Sequence, residues 1–541
     1  MAIQWGGVAA LVVFYLLIFA VGIWASRKIK GSANTERAMV ADRDFGWGVG
    51  LFTLIATWVG GGYINGTAEV VFTPGWGLVW AQAPWGYSLS FVINGLFFAK
   101  QMRSANYVTM IDPFQIKYGN RMGGLLFLAA LTGELLWCAA ILAALGSTIS
   151  VILELDQNLS VIISACIAAA YTIFGGLFSV AYTDIIQLIC IFVGLWICLP
   201  FAMTNAAVTP IKDTTDRWVG EWDVRTTGQW VDSFLLILLG GVPWQAYYQR
   251  ALSAKSADHA RYLSFAASIG CIIISIPAYI MGAVGASTDW NMTAINLNKT
   301  DPYKTPEIVL PAVVQFLTPP VVAFLGLGAI SAAVMSSTDS SVLASSSMFV
   351  RNIYKNILRT SASELELLWI LRLTVLIVAT LATVLALTVE SIYILFVLCS
   401  DFVYVVLFPQ FVCVVHIEKS NTYGSFVAFI LGLFLRLAGG EPALNLPVLI
   451  RYPYYDEELG QLFPFRTLAA IVSFVSLVVI SCITDVVFKR GFLHEKYDIF
   501  KCVVDTEVKS TKEVFAKSTS GPMGMTEDKC VGIDNVAMTD F

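Results

Sequence analysis

Long apolar runs recur along nearly the whole chain, and they constrain its fold more than any other feature. Runs of about 18 residues or more lie near 8 to 25, 46 to 72, 77 to 99, 123 to 153, 160 to 181 and 183 to 203. Others lie near 231 to 250, 262 to 285, 311 to 347, 366 to 388, 391 to 415, 424 to 438 and 466 to 488. A helix of about 20 apolar residues matches the hydrocarbon thickness of a bilayer. With 57% hydrophobic and 13% charged residues, the 541-residue chain departs from soluble composition throughout. The expectation is an all-α polytopic membrane protein with about 13 transmembrane helices. The first run has no basic region before it and no small-residue cleavage signature, and is followed by Arg27, Lys28 and Lys30. It reads as a retained helix, not a signal peptide.

Lys and Arg accumulate in cytoplasmic loops, which orients the spans. With the N-terminus outside and the C-terminus inside, the inner loops collect Arg27, Lys28, Lys30, Arg37, Arg43, Lys100, Arg103, Lys117, Arg121, Arg250, Lys255, Arg261, Arg351, Lys355 and Arg359. The sequons at Asn291 and Asn298 then fall outside as glycan acceptors. Asn158 also falls outside but close to the membrane, and Asn65-Gly66-Thr67 is an accidental match within a span. All ten cysteines lie in apolar runs or the tail, so no structural disulfide is expected. The three histidines form no metal-ligand spacing, and no nucleophile–base pair or phosphate loop supports an enzyme. The formal charge of −5 singles out no partner, and no nucleic acid is expected.

"ATWVGGGYING", residues 56 to 66, puts three glycines and an asparagine in the middle of an apolar run. In hydrocarbon an interrupted helix survives only where protein or a water-filled cavity satisfies its backbone. The glycines mark either a polar binding place or close packing through small residues. "LLGGVPWQAYYQR", 238 to 250, repeats the interruption with Gly240, Gly241 and Pro243 five spans later. That spacing is what a five-plus-five inverted repeat produces, with one extra helix in front and two behind. In "GLGAISAAVMSSTDSS", 326 to 341, a small-residue helix acquires a cluster of hydroxyls, or else runs into a serine-rich loop. A sodium ion seeks several oxygens, and Ser336 and Ser337 facing carbonyls freed near Ala56 and Val59 would supply them. The expected segments are 1–45 (first helix and loop), 46–203 (first repeat), 204–230 (outer loop), 231–415 (second repeat), 416–489 (two further helices) and 490–541 (a cytosolic, disordered tail).

The broken second span, Ala333-x-x-Ser336-Ser337 and "GGLFSVAYTDIIQ" (175 to 187) resemble the sodium/solute symporter family, whose fold is the leucine-transporter inverted repeat. "AQAPWGYSLS" (81 to 90), "GGVPWQAYYQR", "VGASTDWN" (284 to 291), "SNTYG" (420 to 424) and "GLFLRLAGGEP" (432 to 442) are similar to its choline-carrying members. The resemblance runs to about residue 500. It implies a sodium site built from the backbone carbonyls of Ala56, Val59 and Ala333 and the hydroxyls of Ser336 and Ser337. A second sodium, as in some members, implicates Asp184 and Ser340. Asp184 otherwise reads as a helix cap between two spans, and Asp339 as a cap at the cytoplasmic edge.

Choline's quaternary ammonium donates no strong hydrogen bond, so its recognition falls to aromatic faces. Trp58 and Trp244 flank the two interruptions, Tyr87 lies in the third span, Trp137 is mid-helix in the fourth, and Phe396 stands where choline-carrying members have tryptophan. These five form the expected cage, against lipid anchoring or packing as the alternative for each tryptophan. Glu69 and Glu134 are acids near the cage, placed there for a cation or as paired structural acids. The resemblance further implies chloride dependence and choline supply for acetylcholine synthesis. It places the chain in the plasma membrane of presynaptic terminals and in synaptic vesicles. The end, Thr539-Asp540-Phe541, is compatible with carboxylate capture by a trafficking partner or with a plain disordered terminus.

Overall fold

Every regular element among the described residues is helical. The structure, a computed structural model, describes residues 35–153, 155–172, 177–295, 297, 301–389 and 391–500, with scattered positions between 12 and 24. The short helix α1 (Thr35–Val40) precedes α2 (Trp47–Trp58) and α3 (Gly61–Phe72), which meet at a bend of 46°. Then come α4 (Ala83–Ile93, continued by a π-turn at Asn94–Phe98), the short α5 (Asp112–Tyr118), α6 (Asn120–Leu153), α7 (Gln157–Thr172) and α8 (Leu177–Met203). The second interrupted pair is α9 (Thr227–Gly240) and α10 (Gln245–Leu252), followed by α11 (Ala257–Ala286), α12 (Val309–Leu317) and α13 (Pro320–Met348). The chain continues through α14 (Glu364–Thr388), α15 (Ile392–Leu398), α16 (Phe408–His416), α17 (Thr422–Ala438) and α18 (Phe465–Lys489).

Among the described residues seven helices are long and apolar enough to cross a membrane, and the bent α2–α3 pair makes an eighth. Other apolar runs of the sequence coincide with shorter or interrupted helices. The run expected over 311 to 347 divides, because α12 ends at Leu317 and Pro319 and Pro320 begin α13. Proline has no N–H to continue a ladder, yet its fixed φ suits a first turn. The run at 8 to 25 falls mostly outside the described residues.

Two compact units are present, Met1–Ile483 and Thr484–Phe541. In the first, α13 is the central rod, running between α8 and α6. Small residues set that contact: a Cβ added at Gly194 of α8 would lie 2.5 Å from the Ala329 Cβ and 2.8 Å from the Leu325 carbonyl. Backbones approach this closely only where side chains are nearly absent. The outer helices present apolar faces outward, with Ile269, Ile273, Leu373, Ile377, Leu381, Ile471, Val475 and Val479 exposed. Such a band suits contact with lipid. In the second unit the described residues are the last turns of α18, with a Lys489–Asp485 ion pair, and a short turn at Glu495–Tyr497.

Buried charged groups tie helices of the bundle together in two clusters. Arg436 of α17 pairs with Asp401 and Glu441, and Arg466 at the start of α18 reaches Glu441 at 2.8 Å and Asp401 at 3.5 Å. Asp232 of α9 accepts from the Thr467 N–H and hydroxyl, joining α18 to the second interrupted pair. Elsewhere Asp112, opening α5, accepts from Val108, Thr109, Asn352 and Arg351.

Candidate functional site

The first interruption is built by the glycines. Val59 closes α2 at φ −82° and ψ 69°, and Gly60 opens α3 in an extended conformation. The Gly60 N–H turns back to the Trp58 carbonyl at 3.0 Å, removing the donor that a regular helix offers to the Ala56 carbonyl. The α13 helix lies directly against this break. A Cβ on Gly60 would stand 2.0 Å from the Ser337 Oγ, and one on Gly61 would stand 2.7 Å from both the Ala144 Cβ and a Val334 methyl. No larger residue fits without moving α13. The Ser337 hydroxyl donates to the Thr57 carbonyl at 3.0 Å, and the Ala333 carbonyl lies 3.7 Å from the Gly60 Cβ position. Ala333 and Ser337 of α13 thus lie against the α2–α3 break, in the segment that carries Ala56 and Val59, and carbonyls and hydroxyls are the donor chemistry that a hard monovalent cation takes. Ser336 does not face the break with Ser337. Its hydroxyl donates to Asp184 at 2.5 Å.

Asp184 and its surroundings differ from expectation. It lies inside α8 and is 0% exposed, so it caps no turn between spans. Its other oxygen accepts from the Thr53 hydroxyl and sits 3.5 Å from Nη2 of Arg250. Arg250, expected in a cytoplasmic loop, belongs to α10 and is 1% exposed. The same Nη2 donates to the Ser340 hydroxyl at 2.5 Å, and Thr57 and Ser340 share a hydroxyl contact at 3.0 Å. The two residues expected around a second sodium, Asp184 and Ser340, therefore hold a guanidinium. Asp339 is buried in the body of α13 and caps no edge.

The five expected aromatic side chains meet. Trp58 lies 5.8 Å from Tyr87, 5.5 Å from Trp137 and 6.2 Å from Trp244 between ring centroids, Trp137 lies 5.3 Å from Trp244, and Tyr87 4.9 Å from Phe396. None is more than 3% exposed, so lipid anchoring does not describe Trp58, Trp137 or Trp244. Both interruptions position the group, because Trp58 ends α2 and Trp244 immediately precedes α10 in an extended conformation. Among the described residues the indole N–H groups of Trp58, Trp137 and Trp244 have no hydrogen-bond partner. The Tyr87 hydroxyl, by contrast, donates to the Phe396 carbonyl at 2.8 Å and contacts the Ser400 hydroxyl at 2.7 Å, where α15 ends.

Phe91, 4.8 Å from Trp58, completes the cluster, and sequence reasoning missed it although it stands one helical turn after Tyr87. Thr53 and Thr57 were also missed; their i, i+4 spacing on α2 was the available signal. Glu69 has a structural role, accepting from the Ser391 hydroxyl and the Tyr393 N–H at the start of α15. Glu134 accepts from Ser341 at 3.0 Å through one oxygen, while the other has no partner among the described residues. Asn291 is exposed in a short turn, its amide donating to Asp289; Asn298 lies outside the described residues.

Residues 39–432 match the profile of the Sodium:solute symporter family. The chain belongs to this family. Its members are transporters, and the chain is not an enzyme. It is 53% identical to the high affinity choline transporter 1 of Homo sapiens, over 93% of this chain and 89% of that protein. It is also 50% identical to the high-affinity choline transporter 1 of Torpedo marmorata, over 96% and 92%. Among solved structures, a Na+-coupled sialic acid symporter in a substrate-bound outward-open state aligns with TM-score 0.70 and 17% identity, covering 88% of this chain and 97% of that one. That likeness is one of fold alone.

Proposed function

We propose that this protein takes up choline by sodium-coupled alternating access. The observation that carries the reading is the closed group of Trp58, Tyr87, Trp137, Trp244 and Phe396 between the two interrupted helices. Among the described residues its indole N–H groups have no partner, and ring faces are what a quaternary ammonium demands. Each such contact contributes about 0.5–2 kcal/mol. Three or four, with burial of the methyl groups, reach micromolar binding at about −8 kcal/mol. Relatives at 50–53% identity bear the name of choline transporters, which supports the assignment.

Sodium would be held by the carbonyls of Ala56, Val59 and Ala333 and the hydroxyl of Ser337, with Ser336 at its edge through Asp184. Bound there it supplies a positive charge that joins the α2–α3 break to α13. In this mechanism that junction orders Trp58, the ring beside the break, so that the cage closes on choline and the bundle rocks toward the other side. A membrane potential of about 60 mV contributes roughly 1.4 kcal/mol per charge, and a tenfold sodium gradient contributes about as much again. The proposal includes chloride dependence, N-glycosylation at Asn291 and Asn298, choline supply for acetylcholine synthesis at presynaptic membranes and vesicles, and trafficking contacts through the C-terminal end.

Labelled choline uptake into sealed vesicles, with sodium replaced by another monovalent cation and chloride by a large anion, is the test. Uptake that requires sodium and is abolished by excess unlabelled choline is expected. Uptake of a neutral solute unaffected by choline, or flux without accumulation, overturns the reading.

A further inference from the structure

The sodium-coupled reading leaves open how many cations drive one cycle, and the surroundings of Asp184 bear on that number. Four elements converge there. Thr53 comes from α2, Asp184 from α8, Arg250 from α10, and Ser336 and Ser340 from α13. A carboxylate and three hydroxyls from three helices, α2, α8 and α13, make a donor set suited to a small hard cation. The place is taken by the chain itself. Nη2 of Arg250 lies 3.5 Å from Asp184 and 2.5 Å from the Ser340 hydroxyl, and Nε lies 3.4 Å from the Thr53 hydroxyl. Nη1 donates to Gln249 at 3.2 Å. Both oxygens of Asp184 are in use, one toward Ser336 and one toward Thr53 and Arg250.

We propose that Arg250 is a built-in cation that occupies the place a second sodium would need, so that one sodium accompanies each choline. A guanidinium does not deprotonate in proteins, and it presents several donors in a fixed fork. With both members of the pair inaccessible to water, a further positive ion beside Asp184 would be repelled by the guanidinium in a weakly screened interior, in which Asp339 and Glu134 are the other carboxylates that act on Arg250. The joining task remains, because the guanidinium connects α10 of the second interrupted helix to α2, α8 and α13 as a bound ion would. It does so in every cycle and independently of the sodium concentration. Ser336 is drawn to this pair, which leaves Ser337 as the hydroxyl of α13 at the α2–α3 break.

This inference rests on the transport reading, and one experiment separates their failures. Purified protein in proteoliposomes, with the voltage clamped to zero, accumulates choline against a series of imposed sodium gradients. The slope of log accumulation against log sodium gradient gives the coupling number. A slope of about one is expected for the native chain, and about two overturns the inference. Arg250→Gln frees Asp184 for sodium, and a slope approaching two is expected; a slope unchanged near one overturns the inference. Arg250→Lys, which keeps the charge, and the double variant Arg250→Gln with Asp184→Asn, which removes both charges, are expected to stay near one. If Arg250→Gln does not fold, the native chain and the double variant decide. Absence of sodium-dependent choline accumulation in the native chain would sink the transport reading instead.

Discussion

Ser336 and Ser337 are neighbours in sequence, yet the first serves Asp184 and the second the Thr57 carbonyl, because adjacent positions on a helix point about 100° apart. Ser337→Ala removes a hydroxyl from the break, and the sodium concentration for half-maximal uptake is expected to rise about tenfold, at ~1–2 kcal/mol for the lost interaction. Unchanged sodium activation would exclude Ser337 from the site. At the cage, Trp58→Leu keeps an apolar side chain but loses the ring face, and choline affinity should fall about threefold to thirtyfold. Trp58→Phe should fall less, and equilibrium binding of labelled choline distinguishes the two. The meeting of the aromatic side chains was legible in the sequence because a tryptophan beside a mid-span glycine run has no lipid interface to anchor in. Arg250 was not legible. A basic residue at the end of an apolar run reads as a loop charge, and only packing reveals that Asp184, 66 positions earlier, waits for it.

The interrupted helices were readable from glycine and proline, since both subtract from the helical ladder in ways visible without a partner. The division of the 311 to 347 run was missed, because a Pro-Pro pair inside an apolar stretch is compatible with a kink as well as with a stop. At the first interruption, Gly60→Ala pushes a methyl into Ser337, and uptake should be lost while the protein still reaches the membrane. Adding Ser337→Gly should restore folding of the break but not sodium activation, as read from thermal melts beside uptake. The clasp around Arg436 belongs to this scale too. Arg436→Met strands Asp401 and Glu441 without that partner, and a loss of about 3–5 kcal/mol is expected. A melting temperature within error of the native protein would show that Arg466 alone suffices.

For the molecule as a whole, the wrapping of several helices around α13 makes the two interruptions answerable to one another. Trp58 and Trp244 come from breaks 186 positions apart in sequence, and their indoles lie 6.2 Å apart. The family and helical class were legible because composition and motif text survive without coordinates. The phase of each helix around α13, which decides what faces Asp184, is a tertiary property. A cycle moving one sodium with one choline carries two positive charges, so depolarising vesicles by about 60 mV should lower steady accumulation roughly a hundredfold. Accumulation that ignores voltage would count against the inward movement of both.

The fit of Gly60 against α13 also says something about motion. Two rods that touch with no cushion between backbone and hydroxyl cannot slide gradually; they engage or they part. A pair of spin labels spanning that seam should accordingly read two separate distances, exchanging weight as salt is varied, in place of one distance that drifts.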